Sequence, residues 1–123
     1  MSNWAQTTID ALRREETDIK IVPLGNSMRP VIYSGATVTL IPVTEQTTLS
    51  IGDIVLVDVP YVSPKGEKSP GTVLHFVREI EKLNVSGSEV YRIEDNRGLS
   101  NGWVKREAIH GKVVRVVQPE GKE

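Results

Sequence analysis

The chain has 123 residues, 38% hydrophobic and 25% charged, with a formal net charge of −1. That size and balance fit one soluble globular domain, and the near-neutral charge lacks the basic footprint of a nucleic-acid partner. The lack of cysteine excludes disulfides, thiolate metal sites and cysteine nucleophiles, and is compatible with a cytoplasmic location.

Two further exclusions follow from the order of the residues. No run approaches the ~18 apolar residues of a membrane span, and Met1 to Lys20 reads as neither a secretory signal nor a transit peptide. No integral membrane segment is expected. The two histidines, His75 and His110, lie far apart, so neither a metal site nor any other cofactor is expected.

In chain order, Trp4, Ala5, Ile9 and Leu12 recur at helical spacing within residues 3–16. The spacing predicts a short amphipathic helix docked on the body of the domain. Residues 1–20 form this N-terminal unit, 21–118 a β domain and 119–123 a frayed tail. Asp18 to Leu24 reads as the first strand and Ala36 to Val43, rich in β-branched residues, as the second, with a turn at Ser34-Gly35 between them. Ile54 to Val57 is a nearly continuous apolar run, the mark of a strand buried on both faces.

Residues 60–71 hold three prolines and two glycines and read as an exposed loop. Thr72 to Leu83 alternates, with Val73, His75, Val77 and Glu79 on one face and Leu74, Phe76, Arg78 and Ile80 on the other. A turn over 84–88, a strand over 89–94, a polar loop over 95–103 and a last strand over 111–118 complete the chain. About six short strands and one N-terminal helix make the expected fold mainly β, a small coiled sheet or partly open barrel.

Within this pattern Gly25-Asn26-Ser27-Met28-Arg29-Pro30 is unusual. A glycine, a serine and a proline at the end of a strand hold a hydroxyl in a defined place. That suits a nucleophile, which must meet a base at hydrogen-bond distance, and it also suits an ordinary turn. The stretch resembles the Gly-x-Ser-Met-x-Pro box of the type I signal peptidases and the LexA-like self-cleaving repressors. Four more boxes follow in the same order: Gly52-Asp53 opening an apolar strand, His75 on Val73 to Val77, Glu94-Asp95-Asn96, and Ile109-His110-Gly111-Lys112-Val113-Val114. The histidine places the resemblance closest to the archaeal and endoplasmic-reticulum type.

The resemblance implies a coiled-sheet peptidase core and a serine endopeptidase acting on an extended peptide or protein substrate next to small residues. Ser27 would be the nucleophile, His75 the general base and Asp95 the third member of a triad. Gly25, Asn26, Met28 and Pro30 would shape the substrate site, and the Ser27 N–H would help hold an oxyanion. Asp53 is expected to support the Gly52 turn, and His110 and Lys105 to lie on the surface.

Three departures stand out. Glu94 replaces the family's glycine, Leu99, Ser100 and Asn101 occupy the region where a second acid is usual, and Arg78 does not directly follow His75 as the family's arginine does its base; Gly25, where the bacterial enzymes have a serine donor, is as in the histidine type. No Ala-Gly or Cys-Gly bond precedes the core, which argues against a self-cleaving repressor. The alternative function is a non-catalytic descendant that binds a peptide or a partner protein through the same groove.

Overall fold

Ile9 and Leu12 fall three residues apart, so a helix brings both to one side, and a sheet with an uncovered face gives that side a place to pack. The computed structural model describes residues 4–25, 28–62, 68–83 and 87–121, with residues 4, 61, 62 and 68–70 by backbone alone. Helix α1 spans Trp4–Arg13. Its Ile9 and Leu12 join the core at 5% and 2% exposure, so the helix is docked as its spacing predicts. Arg13 in its last turn faces the negative end of the helix dipole.

Seven antiparallel strands follow: β1 (Ile19–Ile21), β2 (Thr37–Pro42), β3 (Ile54–Val62), β4 (Lys68–Lys82), β5 (Glu89–Glu94), β6 (Ser100–Lys105) and β7 (Ile109–Val117). They form one sheet in the order β1-β2-β7-β3-β4-β5-β6, curled into a half-barrel. The mainly β class with one N-terminal helix is therefore as expected.

The sheet is apolar on both sides. Ile21, Val38, Leu40, Leu56, Leu74 and Phe76 share a core with Ile9 and Leu12 of α1 on one. Val55, Val57, Val77, Tyr91, Ile93 and Ile109 gather on the other. β3 alternates between the two cores, which explains its unbroken apolar run. A register shift between Val77 and Glu79 interrupts the alternation of β4. Ile80 therefore packs in the same core as Val77, although strict alternation puts them on opposite faces.

Four details differ from the sequence expectations. β1 stops at Ile21, and Val22 and Leu24 beyond it are exposed; Pro23 has no N–H to continue a ladder. Of the expected loop 60–71, residues 60–62 and 68–71 are strand, because β3 and β4 pair out to Val62 and Lys68, and residues 63–67 lie outside the described residues. Pro60 and Pro70 face each other there. Only alternate pairs of an antiparallel ladder exchange hydrogen bonds, so a facing proline pair is tolerated where neither strand has a second neighbour.

The expected polar loop 95–103 is a turn followed by β6, which pairs with β5 from Glu94↔Ser100 to Val90↔Lys105. Its buried residue is Val104, and pairing with β5 orders a stretch that composition alone reads as loop. His110, expected at the surface, is 9% exposed and bonded to Asp58. The Gly52 turn is supported as anticipated: Asp53 Oδ2 accepts from the Ser50 N–H at 2.8 Å, and Gly52 takes φ +98.

Candidate functional site

Between the exit of β1 and the edge of β4 lies a groove of about 380 Å³. Val22, Leu24, Gly25, Met28, Tyr33 and His75 are among its lining residues. Two of the residues assigned to substrate binding, Gly25 and Met28, thus face the predicted base across one cleft. Met28 also roots this wall in the core, at 4% exposure. Pro30 is exposed and is not among the lining residues. Asn26 and the expected nucleophile Ser27 lie outside the described residues.

The segment leading into the serine box is held by local bonds. Gly25 N–H donates to Ser34 Oγ at 3.1 Å, and Gly35 N–H to the Pro23 carbonyl at 3.0 Å. Gly25 adopts φ +124, where a side chain is strained although a Cβ would meet nothing within 4 Å. Backbone conformation, and not crowding, is what calls for glycine there.

Opposite this segment, β4 pairs with β5 only from Phe76 onward. Among the described residues, Thr72 to His75 therefore have a strand neighbour on one side alone, β3. Thr72, which also lines the groove, is set by an arrangement that the sequence does not announce. Its Oγ1 donates to Asp58 Oδ1 at 2.7 Å, and Asp58 Oδ2 meets His110 Nε2 at 2.8 Å. Burial raises the Asp58 pKa, but these two hydrogen bonds outweigh it and hold the carboxyl below its ordinary value.

His75 is 7% exposed, and its Nδ1 lies 2.6 Å from Asn101 Oδ1. An amide oxygen only accepts, so Nδ1 carries the proton and Nε2 keeps its lone pair. Burial is the largest influence on this imidazole and depresses its pKa below the usual 6.5. The Asn101 bond and the charge of Asp95 act upward, and the charge of Arg97 acts downward with burial. The net effect keeps the ring neutral at neutral pH.

Asp95 is 2% exposed, with both carboxylate oxygens engaged. Oδ1 accepts from the N–H groups of Arg97 and Leu99 at 2.9 Å each. Oδ2 takes the Arg97 guanidinium at 2.9–3.0 Å. Burial raises its pKa, yet the Leu99 and Arg97 contacts prevail and leave it lowered. Asp95 thus acts on His75 through its charge, while the hydrogen bond to the ring comes from Asn101.

The sequence marks Asn101 only as one of three residues in the region where the resembled family often has a second acid. The available signal was its position: it follows the Asp95 turn on the strand that returns past β5. Comparison with the families of known proteins, with curated proteins and with solved structures yields no match.

Proposed function

We propose that this chain is a serine endopeptidase-like domain, in which Ser27 is the nucleophile, His75 the general base and Asn101 the group that orients the base. The observation that carries this reading is the 2.6 Å contact from His75 Nδ1 to Asn101 Oδ1 on a groove-lining, buried histidine. It leaves Nε2 as the basic nitrogen.

In this reading Nε2 takes the proton from the Ser27 hydroxyl as Oγ adds to the scissile carbonyl. The imidazolium then returns that proton to the leaving amine, and a water activated the same way releases the acyl group from Ser27. A neutral amide orients the ring but stabilises its charge less than a carboxylate does. The nearby Asp95 charge favours the imidazolium through space, and the Arg97 charge opposes it. An extended peptide is the substrate that suits the cleft, since Thr72 to His75 offer an edge for strand addition. The first-described resemblance to signal peptidases agrees with this choice and with small residues at the cleavage point.

The test is incubation of the full chain with a peptide library bearing small residues at the cleavage positions, with products read by mass spectrometry. Cleavage by the parent chain, abolished in Ser27→Ala and His75→Ala, is the expected result. Asn101→Ala should retain binding but lose part of the general-base contribution, which is worth roughly 10²–10⁴-fold. Peptide held by the parent chain and recovered uncut would overturn the peptidase reading in favour of a binding groove.

A further inference from the structure

The loop between β1 and β2 carries the serine box, and its described residues lie outside the sheet. It must be positioned by other means, and the hydrogen bonds that do so fall into two sets. The first ties the loop to itself and to the end of β7. Ile32 N–H donates to the Met28 carbonyl at 2.8 Å. The Gln118 amide clamps the loop twice, donating to the Val31 carbonyl at 2.7 Å and accepting from the Tyr33 N–H at 3.0 Å. All of these lie on the serine side of the groove.

The second set includes a bond that crosses to the other side. Asn96 Nδ2 donates to the Arg29 carbonyl at 2.7 Å. Arg29 lies two residues beyond Ser27, and Asn96 lies in the turn that leads to Asn101, the partner of His75. Both ends of this strut are stiff. The turn is closed by Asp95 N–H to the Leu99 carbonyl at 3.0 Å and by the two N–H groups on Asp95 Oδ1. The far end is braced by the Arg29 guanidinium over the Tyr33 ring, 5.0 Å from its centre, and by Met28 in the core.

We infer that Asn96 is a positioning residue that sets the separation of nucleophile and base by strapping the serine loop to the turn that carries the histidine's orienting group. This inference rests on the reading of Ser27 and His75 as the reacting pair. The acceptor is a carbonyl, so the strut needs an N–H donor, and Asn96 is not replaceable by its isostere Asp. A misplacement of about 1 Å between reacting groups costs on the order of 10²-fold in rate, whereas substrate held along Thr72 to His75 is untouched by the strut.

The experiment compares the parent chain with Asn96→Asp, Asn96→Leu and Asn96→Gln in steady-state peptide cleavage and in amide hydrogen exchange. Asn96→Asp and the uncharged Asn96→Leu should each lower kcat by about 10- to 100-fold with KM within about twofold. Asn96→Gln, which keeps the donor on a longer arm, should recover part of the loss. Unchanged kcat in both, or losses in kcat and KM together that Gln does not rescue, would overturn the inference. If the parent chain cleaves nothing, the peptidase reading fails by itself, and exchange decides the strut. Faster exchange over residues 28–33 in Asn96→Leu supports it, and unchanged exchange there overturns it.

Discussion

The charge on His75 is set by neighbours that the two states of the ring feel differently. Burial disfavours the imidazolium, and Arg97 does so by its charge, against the pull of Asp95. A base is lost as pH falls through its folded-state pKa, which here lies below 6.5. Peptide cleavage should therefore keep its full rate to a lower pH than an ordinary histidine allows. Removing Arg97 takes away a charge that lowers this pKa. The acid limb of kcat/KM should accordingly move to higher pH in Arg97→Gln, as a pH-rate profile would measure.

Asp95 makes a second prediction at this scale. Its folded pKa is lower than the ordinary 3.8, so its contribution to stability is present above that value and disappears as pH falls through the folded value. Asp95→Asn loses hydrogen bonds to a charged partner, each worth about 1.5–3 kcal/mol, and sets an amide N–H₂ among donors. The variant should be destabilised at pH 7 by urea unfolding, and the gap should close as the pH falls below 3.8. A gap independent of pH would show that the carboxylate charge is not the stabilising feature.

At the scale of elements, the docking of α1 on β7 depends on one absent side chain. A Cβ on Gly111 would lie 2.9 Å from Leu12 Cδ1 and 3.4 Å from the Ile41 carbonyl oxygen. Helix and sheet approach this closely because nothing stands between them. Gly111→Val should cost about 1–3 kcal/mol through overpacking, and Leu12→Ala about 2–5 kcal/mol through the cavity it leaves. The double variant should cost less than the sum, because the valine occupies space the leucine vacates. Strict additivity in denaturant melts would show that the two positions do not meet. The glycine of the closing Gly-Lys-Val-Val box thus has a packing reason that needs no reference to chemistry.

Across the whole molecule, protection should follow the two cores. Val55, Leu56 and Val57 of β3 have no solvent exposure, and the strand is paired on both sides. Their amides should exchange only through opening of the entire fold, whereas β6, which pairs with β5 at the end of the sheet order, should open locally at lower cost. Hydrogen exchange at residue resolution checks this order. Equal protection in β3 and β6 would contradict it. His75 pairs with the buried Val55, and the groove's other wall is a loop whose hydrogen bonds include ones to the Ser34 and Asn96 side chains.

Much of this architecture was legible in the residues. Helical spacing of Ile9 and Leu12, β-branched runs at 36–43 and 54–57, and turn residues at Ser34-Gly35 are local signals, and local signals survive into the fold because each element must bury the face it already has. That Gly25, Met28 and His75 line one groove is a fact of the folded chain. The strand residues at 60–62, 68–71 and 100–103 read as loop by composition because their order comes from pairing with a neighbour, which composition does not register. The bulge at Val77–Glu79, the burial of His110 against Asp58 and the strut from Asn96 to Arg29 had no sequence signal either. Asn101 was visible in the sequence as a polar residue after the Asp95 turn, but its contact with His75 depends on β6 returning beside β5. Sequence by itself determined which faces are apolar and which residues carry reactive groups. Only the tertiary structure decided which of those groups meet, because side-chain hydrogen bonds to partners 26 or 67 residues away, an amide oxygen in one case and a backbone carbonyl in the other, are made by strand order and loop placement, and neither is encoded locally.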